Sequence, residues 1–381
     1  MPQDSGHPLI YLIGTAGNPH YGDEVITAAW LRYYADHFPD AQVWLDTPRP
    51  GQTAVLHGGS HPHLRCVDTL FHACWNAPTD APADALSFGA EVIERPGALA
   101  REATGFSAAK RADLVHVLGG GYINAVWPRH VTLLAAASAI GERSGARTAM
   151  TGAGFTPTTP EMSSALREVV SAFDVVDVRD RASADMLGEA AEGLTMTSDD
   201  AFLDLQRQPI DRRTRARFVV EIQSDLIDVP IESLAAQALR HLESWEANGS
   251  EVLVLESLPP GDLAVLPLIQ ERYPEAAVLP FEPLWANGLP VSPRQRWITT
   301  RFHSHLMAAA AGAWGVALGG SALITAQHES LLDLGSEWAV LDDPAADAPT
   351  GHPNSEPFGG RYAEIVAAKR AVADAAVDAI R

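Results

Sequence analysis

Residues 114–121 read Leu-Val-His-Val-Leu-Gly-Gly-Gly, and residues 148–154 read Thr-Ala-Met-Thr-Gly-Ala-Gly. In both, a short apolar run ends abruptly in glycine. A brief apolar run closed by breakers reads as a strand buried on both faces. Glycines at its carboxyl end let the backbone turn tightly and let a ligand approach the amides of the next helix. Outward from these two stretches, Leu9–Gly14, Gln42–Leu45, Ala54–Leu56 and Val175–Val178 read as further strands. Helical patterns end near His37, run over 129–144 and 160–172, and start again at Ala182. Asp23 reads as the N-cap of the first helix. Residues 57–84, rich in His, Pro and Asp, read as an irregular excursion. Strands alternating with helices specify a parallel sheet covered on both faces.

Residues 205–216 are polar, contain Pro209 and read as a linker. The pattern then restarts, with strands at 218–222, 252–256, 276–279, Trp297–Thr300, 314–318 and 338–341. Helices are expected at 231–248, 262–272, 302–311 and Arg361–Arg381. The expected fold is α/β, with two Rossmann-like doubly wound domains at 1–204 and 217–381 and an interdomain cleft. The last helix is a candidate to pack back on the first domain. In such sheets, ligands sit at the carboxyl ends of the strands.

The chain has 381 residues and a formal net charge of −21. That balance argues against nucleic acid and anionic membranes as partners, because a basic face supplies most of the affinity for either. A small anion remains admissible, since a few buried arginines reverse the field locally. Cys66 and Cys74 are the two cysteines, so the fold is not built on disulfides and a reducing compartment is expected. The N-terminal stretch shows no leader pattern. The uncharged run Leu306–Ile324 is broken by glycines and reads as helix, turn and buried strand rather than as a membrane span. A soluble cytoplasmic protein is expected, with no stable membrane insertion. Lys110 and Lys369 are the only lysines. Neither sits in a phosphate-cradling GxxxxGK[ST] loop, and both lie in charged, helix-like contexts that do not suit a Schiff base. The arginine bias suggests a bacterial source with a GC-rich genome.

Arg301 and His303 form the sharpest local feature. They follow a short apolar strand and precede an Ala-rich helix. An arginine at a strand end can clamp a carboxylate or phosphate in bidentate fashion. A histidine two residues on can serve as general acid or base, with His305 as the competing candidate. Arg179 repeats the arrangement after Val178, and Asp180 reads as the cap of the next helix. His57, His61, His63, Cys66, His72 and Cys74 are metal-ligand types, but their spacings match no zinc pattern and no metal is expected. Trp75 and Trp127 are candidates to stack on sugar faces.

Taken in order, these motifs resemble the polysaccharide pyruvyl transferase family. The matching pieces are Gly17-Asn18 with Gly22-Asp23-Glu24, then Gly119-Gly120-Gly121, then Gly152-Ala153-Gly154-Phe155-Thr156-Pro157. Val178-Arg179-Asp180 with Ser183 and Leu187 follows, then Asp199-Asp200-Ala201-Phe202-Leu203, and finally Arg301-Phe302-His303. The resemblance spans roughly residues 9–320. It implies a GT-B-like pair of domains, phosphoenolpyruvate as donor, a sugar or glycan acceptor, and a pyruvate ketal as product. It carries donor contacts to Arg301, His303 and Arg179. Gly120, Gly121 and Gly154 are assigned to donor binding, and Asn18 and Trp127 to acceptor binding. His303 and Asp23 are the catalytic candidates. No cofactor is expected beyond phosphoenolpyruvate as co-substrate. The sequence departs from the family where a tyrosine and lysine commonly follow the strand near Val316; Gly319-Gly320-Ser321 stands there. The alternatives are a nucleotide-sugar glycosyltransferase and a catalytically silent glycan-binding relative.

Overall fold

The computed structural model describes residues 6–346 and 356–380. Residues 1–5, part of the stretch read for a leader, and Arg381, the end of the expected last helix, lie outside the described residues. The chain divides into two compact units. The first comprises Met1–Asn18, Asp23–Asp204 and Ile365–Arg381; the second comprises Pro19–Gly22 and Leu205–Glu364.

The first unit is built on seven parallel strands: β1 (Leu9–Ile13), β2 (Gln42–Asp46), β3 (Leu64–Val67), β4 (Leu114–Val117), β5 (Arg147–Ala153), β6 (Val175–Val178) and β7 (Thr195–Met196). Their order is β3-β2-β1-β4-β5-β6-β7. Every residue of β1 and β4 is buried, as expected for central strands covered by helices on both faces. The chain leaves β1 toward one edge and β4 toward the other, so a crevice opens between their carboxyl ends. The second unit repeats the plan with β8 (Phe218–Glu221), β9 (Val252–Leu255), β10 (Ala277–Leu279), β11 (Arg296–Thr299), β12 (Trp314–Leu318) and β13 (Ala339–Leu341). Its order is β10-β9-β8-β11-β12-β13, and its switch point lies between β8 and β11.

Several sequence expectations need correcting. Ala54–Leu56 is not a strand; it belongs to the helix Pro50–His57, whose first residue is the proline a first helical turn tolerates. The excursion at 57–84 is ordered, holding β3, the helix Thr69–Trp75 and the start of the helix Pro82–Glu94. Buried Asp46, at the end of β2, accepts the amides of Leu70 (2.7 Å) and Phe71 (3.3 Å), anchoring that helix start from a distant element. Residues 205–216 group with the second unit rather than forming a separate linker: Ile210 bridges to Leu289. The C-terminal segment 365–381, the candidate to pack back on the first domain, groups with the first unit. Lys369 explains this. Its Nζ lies 2.7 Å from Asp177 Oδ2 and 3.0 Å from Asp200 Oδ1, all three side chains fully buried.

Among the described residues no helix is long and apolar enough to cross a membrane. The Leu306–Ile324 run instead holds the end of the helix Phe302–Ala310, then β12, then the start of the helix Ala322–Asp333.

Two core histidines make stability fall in acid. His116, on β4, bonds Tyr34 Oη (2.8 Å) and Thr151 Oγ1 (2.9 Å); burial pushes its pKa down to about 4. Burial pushes His328, in the second unit, to about 4 as well. Such a group stabilises the fold fully above its unfolded pKa of about 6.5, and the contribution is lost as pH falls through about 4. Each shift corresponds to about 3 kcal/mol. Thermal midpoints measured from pH 7 downward should fall steeply over this window, and His116→Gln should flatten part of the fall. A profile unchanged by that substitution would contradict the assignment.

Candidate functional site

In the first unit the candidates gather where β1 and β4 end. The helix Tyr21–His37 begins two residues before Asp23, so Asp23 is not its N-cap. It sits in the first turn, where a carboxylate complements the helix dipole, and accepts a hydrogen bond from Thr15 Oγ1 at 3.0 Å. An added Cβ at Gly120, whose φ is +133°, would come within 3.9 Å of Asp23 Oδ1. The two glycine turns are hydrogen-bonded to each other, Gly154 N to Gly120 O at 3.0 Å and Gly120 N to Gly152 O at 3.3 Å. Tyr122, which sequence reasoning missed, is buried beside Gly120 and donates to Leu118 O (2.8 Å). Burial, then the nearby Asp23 and Asp200 carboxylates, raise its phenol pKa.

Arg179 lies at the end of β6 with its side chain only 4% exposed, already facing Asp199 Oδ2 (3.4 Å) and Asp180 Oδ2 (3.6 Å). An added Cβ at Gly154 would overlap its guanidinium, so the glycine makes room for the arginine. Asp180 caps its helix as expected, accepting the Ser183 amide at 2.8 Å. Asn18 is exposed, Gly121 is half-buried, and Trp127 is 37% exposed with its ring stacked on His130.

The metal-ligand types scatter into separate hydrogen bonds. His57 pairs with Glu24 (2.7 Å), His61 with Phe38 O (3.2 Å), His72 with Glu102 (2.9 Å), and Cys74 donates to Arg129 O (3.2 Å). A recess of about 870 Å³ opens at the opposite, amino end of this sheet, against Pro8, Ala112 and Arg147, and contains none of the candidates.

In the second unit, Arg301 directly follows Thr300 at the end of β11, at the switch point beside β8. It is buried and not free: Nε and Nη2 lie 3.0 and 2.6 Å from Asp262 Oδ1, and Nη2 lies 2.8 Å from Asp225 Oδ1. Burial disfavours its charge, but Asp262 and Asp225 more than offset this and hold its pKa above the usual value. Asp262 is itself tied down by the amides of Ser257 (2.9 Å) and Leu258 (2.8 Å). Glu221, ending β8, accepts Thr299 Oγ1 at 3.0 Å; burial and then Asp262 push its pKa up to about 7. None of Asp225, Glu221 and Asp262 was singled out from sequence, because their partnership with Arg301 spans long separations.

His303 and His305 have different surroundings. His305 is fully buried, bonded to His328 Nδ1 (3.1 Å) and Ser336 Oγ (2.8 Å) and stacked on Trp338. His303 packs edge-on to Phe302 and His20, against the segment Pro19–Gly22, which is tied in by the Tyr21 amide to Ser257 O at 2.9 Å. An added Cβ at Gly22 would collide with His303 Nδ1. The lack of a side chain at Gly22 is what makes room for the imidazole. Gly22→Ala should displace the ring and lower turnover about 100-fold, the cost of a misplacement of roughly 1 Å. Melting temperature and kcat measured together check this; an alanine variant with native kcat would show that the imidazole position is unimportant.

A family model described as polysaccharide pyruvyl transferase matches residues 20–321. The chain belongs to that family. The chain has no match among curated proteins at the sequence level. In structure it is similar to a UDP-N-acetylglucosamine 2-epimerase at 13% identity, covering 97% of this chain and 95% of that one, with a TM-score of 0.55. It is similar to the UDP-GlcNAc 2-epimerase of Methanocaldococcus jannaschii at 10% identity, covering 96% and 98%, with a TM-score of 0.53. The glycotransferase of kitacinnamycin matches at 13% identity over 99% and 98%, with a TM-score of 0.53. At these identities the likeness speaks for the fold, and it bears out the expected GT-B-like α/β class. Family membership implies a transferase with a sugar or glycan acceptor.

Proposed function

We propose that this polysaccharide pyruvyl transferase moves the pyruvate unit of phosphoenolpyruvate onto two hydroxyls of a sugar, forming a cyclic ketal and releasing phosphate. The observation that carries the reading is the Arg301-Phe302-His303 segment at the β8/β11 switch point, inside the region that matches the family. The donor bears a carboxylate and a phosphate, which call for a planar cation such as Arg301. Arg179 is the second candidate clamp, with Gly121 the candidate to supply an amide; the Gly120 and Gly154 amides, also expected to bind the donor, are spent on Gly152 O and Gly120 O and instead hold the two turns together.

His303 delivers a proton to the donor methylene, leaving an oxocarbenium-like centre at C2. One sugar hydroxyl adds there and loses its proton, phosphate departs, and the second hydroxyl closes the ketal. Of the two hydroxyl protons, one restores His303 and the other leaves with phosphate. Asp23 is the candidate to orient or deprotonate the acceptor, and Asn18 and Trp127 are candidates to bind it. No resident cofactor enters this scheme. A cytoplasmic setting fits two cysteines that form no disulfide.

A nucleotide-sugar glycosyltransferase is the runner-up, favoured by fold neighbours named as UDP-sugar enzymes. A thermal-shift panel of phosphoenolpyruvate, UDP, GDP and CMP separates the two. Stabilisation by phosphoenolpyruvate alone is expected. Stabilisation by a nucleotide alone would overturn the reading, and silence to all four would favour a binding relative without activity.

A further inference from the structure

Arg301 has two carboxylate partners of different character. Asp262 is fully buried, contacts both Nε and Nη2, and is fixed by two backbone amides. Asp225 makes a single contact, to Nη2 at 2.8 Å, and its side chain is 42% exposed. It lies at the tip of the loop that follows β8. Both ends of that loop are pinned: the Gln223 amide donates to Thr300 Oγ1 at 2.8 Å, and the Asp228 amide donates to Gly320 O at 2.7 Å. Between the pins, Gln223 Nε2 holds the Asp225 carbonyl (2.7 Å), and Leu226 adopts a φ of +57°, which a branched side chain tolerates poorly. The loop is bent so as to deliver one exposed carboxylate to the arginine.

The local charge makes this consequential. Asp262 already offsets Arg301, and buried Glu221 stands beside them. With Asp225 also in place, a ligand carrying a carboxylate and a phosphate would meet a net negative site. We propose that Asp225 is a built-in competitor: its carboxylate occupies the position of a donor anion on Arg301, and the donor must displace it to bind. Asp262 stays and keeps the guanidinium oriented. Asp225 thereby sets donor affinity, favouring ligands whose anionic groups can outcompete a carboxylate. This rests on Arg301 being the anion clamp, as in the proposed function.

The test compares the dissociation constants of phosphoenolpyruvate and of inorganic phosphate for the wild-type chain, Asp225→Asn, Asp225→Ser and each combined with Arg301→Lys, which leaves Asp262 a cation. Both single variants should bind both anions at least about 10-fold more tightly, the gain expected from removing a rival charged hydrogen bond. The gain should vanish with Arg301→Lys, whose ammonium cannot reproduce the fork. Unchanged or weaker binding in the Asp225 variants would overturn the proposal and make Asp225 a fixed orienting partner. A gain that survives Arg301→Lys would overturn it too, as a general charge effect. If phosphate shows the Arg301-dependent gain while phosphoenolpyruvate binds none of the chains, the competitor stands and the donor assignment fails.

Discussion

His303→Ala lowers turnover by roughly 100- to 10,000-fold while phosphoenolpyruvate still binds; this is the expected result for a group that transfers the proton rather than holding the donor. The structure sharpens the comparison with its neighbour. His305 is buried in a hydrogen-bonded pair with His328, so its loss removes a core contact and lowers stability instead. Burial and the adjacent His328 push its pKa well down, which suits a neutral core residue. Positions 303 and 305 are about 200° apart around a helix, so the two rings serve opposite sides of it. Single-turnover rates with donor binding measured in parallel separate the effects. Native turnover in His303→Ala together with loss in His305→Ala would reverse the assignment.

Lys369→Met is expected to be the most destabilising single substitution considered, by about 3–5 kcal/mol. Its ammonium is fully buried between Asp177 and Asp200. Burial alone would lower its pKa, but the two carboxylates more than offset this and hold it above the usual value. The same carboxylates also accept backbone amides from the glycine turns: Gly152 N to Asp177 Oδ2 and Gly119 N to Asp200 Oδ2, both at 3.0 Å. Removing the cation leaves two buried negative charges facing each other. Adding Asp177→Asn to Lys369→Met should recover part of the loss, because it removes one of them. Denaturant midpoints measure both steps; a loss under about 1 kcal/mol in Lys369→Met would show the pair to be energetically neutral.

These two residues mark how far the sequence could be read. β1, β4 and β5 were legible because central parallel strands are apolar on both faces and end in glycine. The doubly wound parallel plan followed from the alternation of elements, and the Arg301-Phe302-His303 segment fell where such sheets bind ligands. The burial of Lys369 was not legible, because its partners lie 192 and 169 residues away. The same limit hid Asp262 and Asp225, whose carboxylates change Arg301 from a free clamp into one already engaged. At 50–57 an apolar triplet suggested a strand, and Pro50 was the overlooked helix-start signal. At 69–75 no local signal existed, since the helix start is held by Asp46.

The central claim is chemical, and one measurement addresses it directly. The chain is incubated with phosphoenolpyruvate and a panel of sugar acceptors, and products are followed by mass spectrometry alongside phosphate release. The expected result is an acceptor heavier by one pyruvate less one water, with one phosphate freed per ketal formed, and both products formed at least about 100-fold more slowly by His303→Ala. Acceptors that stay unmodified with phosphoenolpyruvate but gain a hexose from a nucleotide sugar would contradict it.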